Sequence, residues 1–169
     1  MSYWSNVQIV LERVFSNATG IPFIWEDEPR YITPRPFGLL GLGQSITIGR
    51  DYSGYTFKNS DITLDICGQR ELTIHIQIFS RQAKGEQSSR ELIEKARLSL
   101  ANPVYRDELR TAGLIFVENH PVADLDFSFA NRKESRAAFD VVFRLMLHNS
   151  QTCRSNGYFS SVELSENIS

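Results

Sequence analysis

From Arg136 to Asn149 the chain alternates without a break. Ala137, Phe139, Val141, Phe143, Leu145 and Leu147 fall on one parity; Arg136, Ala138, Asp140, Val142, Arg144, Met146 and His148 fall on the other. Period-two alternation marks a strand with one face on a core. At about 3.3 Å per residue the stretch reaches roughly 46 Å, more than twice a common strand. One face is wholly apolar, and the other mixes charge with Ala138, Val142 and Met146. A strand of this length is expected to overhang its own domain and meet a neighbour. It ends a unit, from Arg70 to Leu147, that reads strand, helix, short helix, strand, long strand.

The elements before it follow from local signals. Ser5 and Gln8 have capping-box spacing, and Val7, Val10, Leu11, Val14 and Phe15 form one helical stripe. Gly20 and Pro22 then stop the helix, which is predicted over 6–18. Ile21 to Trp25 reads as a short strand, and Pro29, Pro34 and Pro36 mark an extended connector. Phe37 to Ile48 reads as a strand bent by its glycines. Arg50 to Asn59 is polar and aromatic and reads as a loop or hairpin tip. Asp61–Ile66 and Arg70–Phe79 alternate and read as a hairpin about a Gly68-Gln69 turn.

Ser88 and Glu91 repeat the capping-box spacing ahead of Leu92, Ile93, Ala96 and Leu100. Asn102 and Pro103 start a shorter helix that ends at Gly113. Leu114 to Val117 is a strand, broken at Asn119-His120-Pro121, with Val122 to Phe129 continuing as an extended edge. The fold class expected is α+β: a mainly antiparallel sheet with an N-terminal helix and a helix pair packed on one face. Residues 1–149 read as one domain. Residues 150–169 read as a polar tail, either disordered or ordering on a partner.

Chemistry is harder to find. With 18 Lys+Arg against 20 Asp+Glu the formal charge is -2, without the basic footprint of a nucleic-acid binder. The two cysteines form no CxxC, and His75, His120 and His148 lie in separate elements, so no metal site is expected. No apolar run of about 18 residues suggests a membrane span. Gly41-x-Gly43 is followed by no helix and no Gly-Lys-Ser/Thr, which argues against a phosphate cradle. Asp124 and Asp126 have the spacing of paired carboxylates, yet no acid, base or metal partner accompanies them. No catalytic set and no cofactor are expected. What remains are contact candidates. Arg50, Tyr52, Tyr55 and Phe57 suit a protein surface better than base stacking. Arg132, Lys133 and Arg136 cluster at the start of the long strand, with Arg144 further along it.

The order of elements resembles one family, the tail terminator (neck terminator) proteins of long-tailed bacteriophages. The resemblance rests on the N-terminal amphipathic helix leading into Pro22-Phe23-Ile24-Trp25 and on Pro34-Arg35-Pro36-Phe37 at the start of a strand. It rests also on Gly68-Gln69-Arg70-Glu71-Leu72-Thr73-Ile74, on Leu98-Ser99-Leu100-Ala101-Asn102-Pro103, on Leu109-Arg110-Thr111-Ala112-Gly113-Leu114, and on Glu134 to Phe143 of the long strand. It implies a non-enzymatic virion protein, assembled in the host cytoplasm, forming a hexameric ring at the head-proximal end of the tail. Such a ring ends tube and sheath polymerisation and joins the tail to neck or connector proteins. DNA passes its lumen without specific binding, which a mildly acidic chain suits. A tail-tube or tail-completion subunit is the alternative within the same plan. From a different class, a small α+β ligand-binding domain or enzyme would draw on Asp124, Asp126, His120 and His75.

Overall fold

The apolar stripe of the first helix sets the layer on which the sheet is built. In a computed structural model, residues 3–27, 34–58, 61–81, 85–129, 132–153 and 159–163 are described. Helix α1 (Tyr3–Thr19) buries Val7, Val10, Leu11, Val14 and Phe15. It begins earlier than predicted, so Ser5 lies inside it and does not cap it. The cause is packing: Trp4 meets Trp25 edge-on with ring centroids 5.8 Å apart, and Trp4 lies against the core. Gly20 closes the helix at φ +77, a left-handed value that glycine adopts without steric cost.

Strand β1 (Phe23–Trp25) pairs parallel with β2 (Phe37–Lys58), and β2 pairs antiparallel with β3 (Asp61–Arg81). Helix α2 (Ser89–Ser99) starts at the capping box the sequence predicts, with both the Ser88 and Glu91 hydrogen bonds made. Helix α3 (Pro103–Thr111) is capped by Asn102, whose side chain accepts from the Val104 amide at 3.0 Å. Strands β4 (Ile115–Asn119), β5 (Ala123–Asp124) and β6 (Phe127–Phe129) follow in series along β7 (Arg132–Cys153). A last strand, β8 (Phe159–Glu163), pairs with the far end of β7. The sheet order is β1-β2-β3-β7-β4, antiparallel apart from β1. This is the α+β arrangement expected, with the helices on one face.

The core lies between that face and the helices. Leu72, Ile74, Ile76 and Ile78 of β3 meet Ala137, Phe139, Val141, Phe143 and Leu145 of β7, and Leu92, Ile93 and Ala96 of α2 pack in the same cluster. Burying each large apolar side chain contributes about 1.5–3 kcal/mol. A buried contact between the Ser89 and Ser135 hydroxyls, 2.6 Å apart, joins the start of α2 to β7. An Arg13–Glu108 ion pair joins α1 to α3.

Two predictions about the sheet need correction. The chain does not turn at Gly68. Strand β3 runs straight through it, with Gly68 opposite Leu147. Glycine is required there by close approach: a Cβ would come within 1.9 Å of Asp51 Oδ1 and 2.6 Å of Arg70 Nη1. Arg70 donates to both carboxylate oxygens of Asp51, at 2.7 and 2.8 Å, across the glycine. That hydrogen-bonded guanidinium holds the Asp51 carboxyl below its ordinary value of 3.8. Nor is Arg50 to Lys58 a loop. It is the distal part of β2, displaced in register by irregularities between Leu42 and Ser45 and between Ile48 and Tyr52. The first irregularity adds one residue to β2 and flips its phase; the second, which holds Gly49 at φ +71, adds two and keeps it.

The three long strands therefore outrun the helices. The buried apolar residues of β3 stop at Leu72, while the strand extends to Asp61. The stretch from Asp61 to Gln69 spans roughly 30 Å and, with β2 and β7 beside it, forms an arm.

Phe143→Ala in the core is expected to lose about 3–5 kcal/mol of unfolding free energy in urea denaturation, whereas Tyr55→Ala on the arm should stay within about 0.5 kcal/mol. Asp51 contributes stability that is fully present above the ordinary carboxylate value and lost as pH falls through its depressed value. Thermal melts should therefore show Asp51→Asn less stable than the parent at pH 7, with the gap closing as pH is taken below 3.8.

Candidate assembly surface

Residues of β3 and β7 on the parity opposite the core form the helix-free face, and charged and polar pairs cross it in rows. Arg136 donates to Gln77 at 2.5 Å and lies 5.1 Å over the Phe79 ring, which itself stacks on Phe37. One step on, His75 Nδ1 is 2.6 Å from Asp140 Oδ1. Next, Arg144 donates to Glu71 at 2.5 Å. Toward the arm, Asp65 accepts from Ser150 at 2.7 Å and lies 3.6 Å from His148. Each pair follows from the unbroken β3–β7 register, which sets Gln77 opposite Ala138, His75 opposite Asp140 and Glu71 opposite Arg144. Such pairs are individually weak when partly exposed, but together they fix the register of the two strands.

The carboxylates and histidines weighed as an enzyme site are not brought together as a catalytic set. Asp124 pairs with Arg90 of α2 at 2.9 Å, whereas Asp126 accepts the Arg136 amide at 3.0 Å. His120 lies 3.8 Å from Glu118. His75 has the partner that the sequence alone did not supply, Asp140, and β7 register is the signal that identifies it. No group of three or more His, Cys, Asp or Glu among the described residues is placed to hold a metal ion. No described helix is long and apolar enough to cross a membrane.

The contact candidates separate into two groups. Arg136 and Arg144 are engaged within the sheet, through Gln77 and Glu71. Tyr52 and Tyr55 stand on the arm, each 67% exposed. Tyr52 lies opposite Cys67 and Tyr55 opposite Leu64, so the two rings belong to opposite faces of the ribbon. Arg50 is exposed beside them. Phe57, Arg132 and Lys133 lie on β2 and β7, with side chains outside the described residues. The arm also exposes Ile62, Met146 and Leu147, and Ile46 is exposed just short of it, opposite Glu71. Sequence reasoning missed Ile46, because it was assigned to the strand on the core side of a presumed loop.

The polar face is internally paired, and exposed apolar and aromatic residues stand on the arm, on the edge strands and on the helices, among them Tyr52, Tyr55, Ile115, Leu98 and Val104. The family model described as phage neck terminator protein matches residues 7–156. No curated protein matches the chain. The match begins within α1, takes in β1 to β7, both later helices and the arm, and ends before β8. The chain belongs to the phage neck terminator protein family, whose members are structural proteins of the phage tail and neck and not enzymes.

Proposed function

We propose that copies of this chain close into a six-membered ring at the head-proximal end of a phage tail. There the ring ends polymerisation of the tube, and of a sheath where one is present, and joins the tail to neck proteins. The observation that carries this reading is the arm. Long paired strands reach roughly 36 Å past Leu72, the last buried apolar residue of β3, and carry exposed Tyr52, Tyr55 and Ile46. A lone subunit gains no burial from such an extension, whereas a closed ring with heterologous contacts covers it in every copy.

Within this reading, Arg50, Tyr52 and Tyr55 contact the neighbouring subunit, with tyrosine supplying large contact area at low entropic cost. Arg132, Lys133 and Arg136 lie at the opposite end of β7 and are assigned to the neck-facing side. Arg144 serves the subunit contact indirectly, by holding Glu71 and the β3–β7 register. DNA passes the lumen without sequence-specific binding, in keeping with the formal charge of -2 per chain. The chain from residue 150 onward, whose described part adds β8 to the arm, acts as a tail contacting the next protein in the stack.

Native mass spectrometry of the purified protein should return six copies, and negative-stain images should show closed rings. Long filaments would assign the chain to the tube instead. The double variant Tyr52→Ser, Tyr55→Ser should keep the parent's circular dichroism and lose the ring. Retention of six copies by that variant would remove these tyrosines from the interface.

A further inference from the structure

Resting on the ring reading, we infer that neighbouring copies join edge to edge. The bare edge of β2 pairs, antiparallel, with the β4 edge of the next copy, so that the sheets form one continuous closed sheet.

The sheet has two edges of unequal protection. β1 covers β2 only from Gly38 to Leu40, and the Glu26 amide adds one more bond to Leu40. From Gly41 to Lys58, β3 is the only strand paired with β2 among the described residues. Unpaired edges are usually guarded by charge, proline or bulges. The two irregularities in β2 are such guards, but Ser45 to Ile48 between them contains no charge and no proline.

On the other side, β4, β5 and β6 pair in turn with β7, and the gaps between them are bridged by His120 N to Asp140 O at 2.8 Å and Leu125 N to Arg136 O at 2.7 Å. They act as one fourth strand, broken at Pro121. Its outer edge has no partner among the described residues.

Direction and chemistry both match. β2–β3, β3–β7 and β7–β4 are each antiparallel, so β4 runs opposite to β2. Rotation about a ring axis preserves up and down. The β2 of the next copy therefore meets β4 antiparallel, and the alternation continues around the ring. Across the helix-free face one row reads Ile46, Glu71, Arg144, Ile115 in register. Its middle is the Glu71–Arg144 ion pair, and its two ends are apolar and exposed, Ile46 at 53% and Ile115 at 54%. Joining the edges brings these apolar ends from neighbouring copies into reach as a cross-strand pair.

The test is a cysteine panel in full-length protein with Cys67→Ser and Cys153→Ser. Ile46→Cys or Ile48→Cys is combined with Ile115→Cys or Val117→Cys, and assembly mass is read on the same samples. On mild oxidation at least one double variant should give a ladder of up to six covalently joined chains, and each single variant should stay monomeric on a denaturing gel. Ile46→Lys, placing a charge on the edge, should abolish assembly while leaving the circular dichroism unchanged. Rings of six with no ladder from any double variant would overturn the edge contact and leave the ring intact. A covalent dimer from the Ile46→Cys single variant would also overturn it, by showing two β2 edges facing each other. Absence of any ring would remove the ring reading itself, and the edge contact with it.

Discussion

The pairing of β3 with β7 is the constraint on which the rest of this structure depends. It runs from Ile62 opposite Cys153 to Arg81 opposite Glu134 without a register shift. Because side chains alternate with period two, one register places Leu72, Ile74, Ile76 and Ile78 beside Ala137, Phe139, Val141 and Phe143 on the helix side. The same register places His75 beside Asp140 and Glu71 beside Arg144 on the other. A slip by one residue would bury the charges and expose the core. The helices need only cover the apolar half of the pairing, and the remainder becomes the arm.

Most of this was legible in the sequence, and the failures have particular causes. The β7 alternation, the Ser88–Glu91 capping box and the Asn102-Pro103 helix start each rest on a local rule that nothing in the fold overrides. Gly68 misled because glycine usually marks a turn. Yet Ile62, Leu64, Ile66, Leu72, Ile74, Ile76 and Ile78 all share one parity across it, which a single straight strand explains. Distal β2 was hidden for the opposite reason. Its first irregularity resets the phase, so Leu40 and Ser45 both face even-numbered β3 residues, Ile76 and Leu72, although their own parities differ. The early start of α1 depends on Trp4 meeting Trp25, a contact between segments that no local signal encodes.

The contact surface was legible in composition and illegible in arrangement. Tyr52 and Tyr55 could be singled out as exposed aromatics, but only the pairing of distal β2 with β3 makes them strand residues, whose odd spacing puts them on opposite faces of the ribbon. Arg136 and Arg144 drew notice as charges on a mixed face, and the structure gives them partners across to β3. Asp124 and Asp126, adjacent in sequence spacing, serve two different elements, α2 and β7. On the helix-free face charge is used in cross-strand pairs, and in the proposed ring the exposed apolar and aromatic residues of the arm and sheet edges meet the neighbouring copy. That division suits a family of structural phage proteins.

The central claim is that the arm and sheet edges are incomplete in one chain and completed by its neighbours. A cryo-electron microscopy map of the assembled protein tests this most directly. The account predicts six subunits in a closed ring, with each arm lying on the adjacent subunit and Tyr52 and Tyr55 covered. Subunits that touch only through their helices, with the arms projecting free into solvent, would contradict it.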